Sequence, residues 1–140
     1  MGMIIQAHDF SFQKRSALFK PIIYCCAFND SENNSVSINL LLAKKLAEFK
    51  PKLRTMRLEQ CFNDVLGLLP DEVVIKDFDV MFNPEYQVDL LRIMVMASKK
   101  KRFGVIWPGR YEAGKLYYAE EGYQDYKIFN IEDYDVTCIV

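Results

Sequence analysis

Two carboxylates follow one strand-like segment and are the side chains best placed for chemistry. Asp77 and Asp79 come shortly after the strand-like residues 72–76, which have an apolar centre at residues 73–75. Carboxylates at the end of a parallel strand can hold Mg²⁺ beside a bound nucleotide. They are also frequent as solvated turn residues, so this pair is weak evidence for a metal or cofactor site.

The loop that would bind the phosphates of a nucleotide is missing. Such a loop reads G-x-x-x-x-G-K-[ST], because its glycines let backbone N–H groups surround the phosphates and its lysine reaches the outer ones. The chain has no glycine between Gly2 and Gly67. The first strand-like run, residues 22–26, leads instead into a polar segment, residues 27–35, with two acids and no base. This segment repels phosphate, so we predict no cofactor. We also predict no metal, because Asp77 and Asp79 alone are weak evidence for a site.

Positive charge is concentrated in two short runs. Residues 44–57 contain six bases and one acid, and the second run is Lys99, Lys100, Lys101 and Arg102. From residue 111 onward, seven acids oppose two bases. This asymmetry favours a charged partner, which can be protein or nucleic acid. A solvated helix end is the simpler interpretation of the second run.

Trp107 and Arg110 are further candidates for partner contact, because they flank a Pro-Gly turn after the apolar residues 103–107. Ligands of α/β proteins bind at the carboxyl ends of the strands. The alternative is a turn anchored by one amphipathic aromatic residue. The tyrosines of residues 111–126 can likewise form a docking surface or pack on the sheet.

Nucleophilic and zinc chemistry find no support in the sequence. His8 is the one histidine, and the four cysteines show no C-x-x-C spacing. We expect these cysteines to be buried in a reducing compartment. The longest apolar run, residues 90–97, is interrupted by Arg92, and the N-terminus does not resemble a signal peptide. The expected location is cytoplasmic, without membrane contact.

The strands and helices that the sequence predicts, and that must position these residues, alternate along the chain. They indicate one α/β domain over residues 1–140, with a mainly parallel sheet flanked by helices. Three buried strands are expected at residues 22–26, 72–76 and 103–107, and a last strand at residues 134–140. We expect the first of these to lie beside the other two. Residues 36–40 predict a short strand, and Gly114 the turn of a hairpin. Helical spacing predicts helices at 40–49, 57–66 and 84–99, the last with Asn83 as its N-cap, and a further helical segment within residues 10–19.

Several motifs of the chain together resemble one protein family. Their order and spacing carry the resemblance: Asp79-Val80-Met81-Phe82-Asn83-Pro84, Asp89-Leu90-Leu91-Arg92, Trp107-Pro108-Gly109-Arg110, Gly114-Lys115-Leu116, Tyr118-Ala119-Glu120 and Tyr126. Asn39-Leu40, Lys52-Leu53-Arg54 and Leu58 fit the middle region of the same family. The chain thus resembles BrxF, the small P-loop subunit of bacteriophage-exclusion (BREX) defence systems, from about residue 37 to residue 140. The resemblance implies an ATPase-type fold, so that, together with the hairpin predicted at Gly114, we expect a reduced P-loop-NTPase-like domain with a C-terminal hairpin. It also implies phage restriction alongside a DNA methyltransferase, a phosphatase-like protein and a large ATPase.

The chain departs from this family where the chemistry would occur. The glycine-rich loop and its helix belong between Cys26 and Val36, an interval too short for both. Aligning Asp79 and Phe82 with the family motif puts Lys76 where a magnesium-associated aspartate belongs, and a lysine opposes Mg²⁺ by charge.

We therefore expect a non-catalytic binding or scaffolding subunit of a prokaryotic phage-defence complex. Its expected partners are other defence proteins, DNA contacted through the complex, and further copies of the chain. Two alternatives stay open. One is a nucleotide-binding, ATPase-like subunit with an unusual or partner-completed site, and the other is a small nucleic-acid-binding module.

Overall fold

A computed structural model describes residues 1–10, 18–25 and 35–140 of the chain. This part contains nine strands: β1 Met3–Ile5, β2 Ile22–Tyr24, β3 Ser35–Ser37, β4 Val73–Lys76, β5 Phe103–Ile106, β6 Arg110–Glu112, β7 Lys115–Tyr118, β8 Lys127–Asn130 and β9 Thr137–Ile139. Six of them form one sheet in the order β1–β9–β2–β5–β4–β3, and each neighbouring pair is parallel. The predicted α/β class with a mainly parallel sheet is confirmed. The remaining strands, β6, β7 and β8, form an antiparallel sheet of three.

Three α-helices lie on the connections between these strands. They are α1 Asn39–Leu46, α2 Arg54–Gly67 and α3 Leu90–Ser98. Short 3₁₀ turns occupy Ala7–Asp9, Pro51–Leu53, Asp79–Phe82 and Ile131–Asp133. The helix pair α1 and α2 connects β3 to β4, and α3 connects β4 to β5.

Strand β2 lies inside the sheet, as its uninterrupted apolar sequence predicts. Ile23 is paired with Val105 of β5 on one side and with Cys138 of β9 on the other. The expectation that β2 also lies directly beside β4 is wrong, because β5 intervenes. The reason is the β4–α3–β5 crossover, which brings two consecutive strands side by side and leaves β2 as the next strand.

Both faces of the central strands are covered, as parallel strands require. One face contributes Ile23, Ile75 and Val105 to the main core beneath the helices, where the rings of Phe62 and Phe103 meet at 5.8 Å. The opposite face has its own smaller cluster, formed by Ile22, Tyr24, Val74 and Ile139 with Phe10 and Leu18 packed against it.

The predicted start of α3 is wrong by six residues. The Asn83 side chain accepts a hydrogen bond from the Glu85 backbone N–H at 3.0 Å, which forms a local turn rather than a helix cap. This turn directs Tyr86 into the core. The helix begins only after Asp89, whose side chain accepts from the Arg92 backbone N–H.

Other boundaries shift by smaller amounts. The strand predicted at residues 36–40 is Ser35–Ser37, and the strand predicted at residues 134–140 is Thr137–Ile139. Helix α2 begins three residues before its predicted start and ends at Gly67. The predicted hairpin gains a third strand, β8. The helical segment expected within residues 10–19, the strand end at Cys26 and the polar segment after it fall wholly or largely outside the described residues.

Candidate functional site at the carboxyl edge of the sheet

The two candidate carboxylates follow β4 at the carboxyl edge of the main sheet. Asp77 has a left-handed backbone conformation, with φ at +50°, and its side chain is exposed. Asp79 opens the 3₁₀ turn Asp79–Phe82. The Asn39 side chain fixes this turn, since its amide oxygen accepts a hydrogen bond from the Val80 backbone N–H at 2.9 Å. Asp79 therefore sits on a turn with a defined conformation, and Asp77 lies two residues before that turn.

Asp79 is engaged by a tyrosine of the small sheet. The Tyr118 hydroxyl donates to Asp79 Oδ2 at 2.8 Å, and the Tyr118 ring stacks on Phe82 with centroids 3.6 Å apart. Burial of the phenol, together with the hydrogen bond to Asp79 and the charge of that carboxylate, raises the pKa of Tyr118. Tyr118 therefore stays neutral and keeps donating to Asp79 at physiological pH.

Trp107, directly after β5, connects the main sheet to the small sheet. Its indole ring is buried, and its N–H donates to the Tyr117 backbone carbonyl at 2.9 Å. The ring meets Phe82 at 5.8 Å and Phe129 at 5.7 Å, both edge to face. The structure thus uses Trp107 as a packing residue within an aromatic cluster that joins the two sheets.

A second tyrosine–aspartate pair ties the segment after β8 to helix α3. The Tyr134 hydroxyl donates to Asp89 Oδ2 at 2.8 Å, while the other carboxylate oxygen of Asp89 caps α3. Burial, the hydrogen bond to Asp89 and nearby negative charge raise the pKa of Tyr134. The first pair joins β7 of the small sheet to the turn after β4, and the second joins the chain after β8 to the start of α3.

Arg110 lies on the outside of the small sheet. Its guanidinium stacks over the Tyr117 ring at 4.4 Å, and its Nε lies 3.9 Å from a Glu112 carboxylate oxygen. The side chain is about half exposed. Arg110 is therefore accessible to a partner, unlike Trp107.

The basic run 99–102 is divided by the structure into two pairs of residues. Lys99 and Lys100 are exposed just beyond α3, as a solvated helix end predicts. The Lys101 ammonium donates instead to the backbone carbonyls of Leu66 and Leu69 at the end of α2. Arg102 lies 3.6 Å from a carboxylate oxygen of Glu72. Two of the four candidate residues thus have contacts within the domain, and Lys101 stabilises it.

The other basic run forms a corner between α1 and α2. Arg54 is used internally, because its Nε donates to the carbonyls of Leu46 and Phe49, each at 3.1 Å. The bases left exposed at this corner are Lys44, Lys50, Lys52 and Arg57. This corner therefore has four exposed bases, whereas the run 99–102, whose residues were the predicted contacts, has Lys99 and Lys100 exposed beyond α3.

The cysteines and the histidine form no reactive centre among the described residues. Cys61 and Cys138 are buried, and Cys25 is half-buried. Burial raises the pKa of Cys61, while the neighbouring Cys25 side chain and burial raise that of Cys138. His8 is exposed and lies 3.5 Å from Asp9. Within the described residues, no group of three or more histidine, cysteine or acidic side chains is placed to hold a metal ion.

The tyrosines that are hydrogen-bonded to Asp79 and Asp89 were not predicted from the sequence. Tyr118 is 39 residues from Asp79, and Tyr134 is 45 residues from Asp89. The one available signal was the density of tyrosine in the C-terminal third, which indicates interfaces and packed surfaces equally well.

No protein-family model matches the chain, and neither a curated protein nor a solved structure shows a significant match. In the part of the chain that the structure describes, no helix has both the length and the apolar character needed to cross a membrane.

Proposed function

We propose that this protein is a non-catalytic binding subunit whose sheet edge is used for packing instead of ligand binding. The observation that carries the proposal is the aromatic cluster at the carboxyl edge. Open α/β sheets bind ligands in the crevice outside the carboxyl ends of their strands. Here Trp107 follows β5 and is buried beneath the small sheet, while Asp79, after β4, is hydrogen-bonded to Tyr118.

Charge at this edge further supports a site without nucleotide. Asp79 accepts a hydrogen bond from a tyrosine that stays neutral, so binding Mg²⁺ through that oxygen would cost this bond. Lys76 ends β4, one residue before Asp77, and its ammonium charge disfavours a cation nearby. Residues 27–35, which stand where a phosphate-binding loop would be, carry two acids and neither glycine nor base.

The finer proposal is a P-loop-like, cytoplasmic subunit of a prokaryotic phage-defence complex of BREX type. It rests on the motif resemblance to BrxF. Three of those motifs converge at one place: the Asp79–Phe82 turn, the segment beginning at Trp107, and Tyr118. On this proposal the partners are the other proteins of the complex.

Calorimetry with Mg-ATP and Mg-GTP tests the first part of the proposal. Titration at hundreds of micromolar should give no saturable heat with the wild-type chain. The Tyr118→Phe variant removes the hydroxyl that occupies Asp79, and it should also give none, because the phosphate-binding loop is still missing. A micromolar dissociation constant, equivalent to about 8 kcal/mol, would refute the proposal. It would favour a nucleotide-binding subunit with an unusual site.

Co-purification tests the role in a complex. The tagged chain, expressed with the genes that flank its own, should retain at least one of their products through purification. Recovery of the tagged chain alone, from cells in which every neighbour is expressed and folded, would contradict the defence-complex proposal.

A nucleic-acid-binding module is the second candidate, and the α1–α2 corner favours it. Lys44, Lys50, Lys52 and Arg57 are exposed there with Glu48 as the one acid of that stretch. Contacts to phosphates would give an affinity for duplex DNA that falls steeply with salt. Lys50→Glu with Lys52→Glu should weaken such binding more than Lys99→Glu with Lys100→Glu. Equal effects of the two pairs, or no binding at low salt, would exclude this corner as the binding surface.

A further inference from the structure

Helix α3 forms the floor of an open groove on the outer surface of the domain. Two adjoining hollows of about 470 and 240 Å³ share Asp89, Arg92 and Met96. The first hollow extends to the segment after β8, residues 133–135, and the second extends to the first half of α2. With Met1, which also lines the first hollow, the groove brings together four separate parts of the chain.

Two methionines give this groove an exposed apolar lining. Met56 of α2 is 76% exposed and Met96 of α3 is 42% exposed, and both line the second hollow. Val88 and Ile93 line the same hollow. Methionine is unbranched and polarisable, which suits it to surfaces that adapt to the side chains of a partner. An apolar strip of this kind, bordered by polar residues, is typical of a protein-interaction site.

The walls of the groove are held in place and carry net negative charge. The hydrogen bond from Tyr134 to Asp89 fixes the far wall against α3. Glu59, Asp89 and Asp133 contribute three carboxylates, whereas Arg92 is the base among the side chains that line the groove. Asp135, a fourth acid, is paired with the Met1 amino group at 2.8 Å. The Arg92 guanidinium makes no ion pair with any described residue, so it does not neutralise these acids directly.

From this geometry we propose that the groove docks a cationic amphipathic helix of a partner protein. An amphipathic helix lays its apolar face into such a groove, and Met56 and Met96 offer the apolar contact. Lysine or arginine residues flanking that face would meet the carboxylates of the rim. The negative rim repels DNA. The inference rests on the proposed scaffolding function and specifies the surface through which that function operates.

The probe is a labelled peptide of about 18 residues, roughly five helical turns, with leucine and lysine at helical spacing. Fluorescence anisotropy with the full chain should show saturable binding. The double variant Met56→Ala, Met96→Ala should weaken that binding about tenfold, because it removes apolar area from the contact. Leu68→Ala is the matched control, since Leu68 is 66% exposed but lies outside the groove, and it should leave the affinity unchanged.

Arg92→Ala tests whether the charge of the groove contributes to binding, as the proposed docking requires, or whether the peptide binds through apolar contact alone. Removing the base from an acidic groove should tighten binding of the cationic peptide about threefold, as expected for one unit charge at several ångströms in water. Thermal unfolding of each variant verifies that it is folded.

Four outcomes would overturn the proposal. One is the absence of saturation up to about 100 µM peptide, a limit equivalent to roughly 5.5 kcal/mol. Another is an affinity that the double methionine variant does not change. A third is weaker binding by Arg92→Ala. The last is a dimer in sedimentation that Met96→Glu dissociates, because the occupant would then be a second copy of the chain. Binding of Mg-ATP would refute the proposed function without affecting the peptide titration, so the two failures are distinguishable.

Discussion

The hydrogen bond between Tyr118 and Asp79 should be a measurable part of the stability of the fold. Tyr118→Phe deletes the hydroxyl that donates to Asp79 Oδ2 at 2.8 Å and keeps the ring that stacks on Phe82. A hydrogen bond to a charged group contributes about 1.5–3 kcal/mol. Asp79 is exposed, so screening by solvent reduces this to about 1 kcal/mol here. Tyr118→Ala also removes the stacked ring and should cost about 3 kcal/mol.

A double-mutant cycle in urea isolates the contact. Tyr118→Phe and Asp79→Ala should each lower the free energy of unfolding by about 1 kcal/mol, and the double variant should lose little more than either. The loss corresponds to a fall in Tm of about 3–4 °C for a chain of this size. Tyr123→Phe is the control: Tyr123 is an exposed tyrosine, and removal of its hydroxyl should change stability by less than about 0.5 kcal/mol. A coupling energy near zero, with both single variants folded, would refute the assignment of Tyr118 as the residue that occupies Asp79.

Three further predictions concern the contacts that hold the elements together. Lys101→Met should destabilise the protein by about 1–2 kcal/mol in urea, because two carbonyls at the end of α2 lose their donor; Lys100→Met should have almost no effect, and equal effects would contradict this role. Gly109→Ala should lower the Tm by several degrees, because its Cβ would lie 1.8 Å from the Tyr117 carbonyl oxygen. Gly67→Ala, with no atom within 4 Å of the added carbon, should be neutral or stabilising, and a similar loss in both variants would show that packing is not the cause. Stability should also fall as the pH rises above about 10, because the pKa values of the two aspartate-bound tyrosines are raised in the folded state and the unfolded chain releases those protons first. Replacing both tyrosines by phenylalanine should flatten this decline, and an unchanged slope would count against it.

The amino-acid sequence by itself determined the layer architecture. The apolar runs around Ile23, Val74 and Val105 are continuous, so they require cover on both faces and therefore a parallel sheet with connections across it. Helical spacing of apolar residues likewise predicted α1 and α2, and the proline at residue 51 separates them. These features are local, because each depends on residues that are neighbours along the chain.

The local signals at Asn83 and Pro84 predicted the wrong start for α3. Asn83 and Asp89 both have side chains suited to an N-cap, and Pro84 suits a first helical turn. The structure selects Asp89, since the turn made by Asn83 allows Tyr86 to reach the core. The start of α3 at Asp89 thus goes together with the burial of Tyr86, a tertiary contact that a capping signal does not record.

The candidate site was decided almost wholly by tertiary structure. From the sequence, Asp79 could be a metal ligand or a turn residue, and only the fold shows that it is hydrogen-bonded to Tyr118. The sequence likewise predicts a solvated Lys101, whereas the fold places its ammonium group beside the carbonyls at the end of α2. Whether a polar side chain is free for chemistry depends on a partner far along the chain, and the order of the strands decides which distant segments meet. Hydrophobic periodicity records which face of an element is buried, but it carries no information about the polar group that will lie opposite.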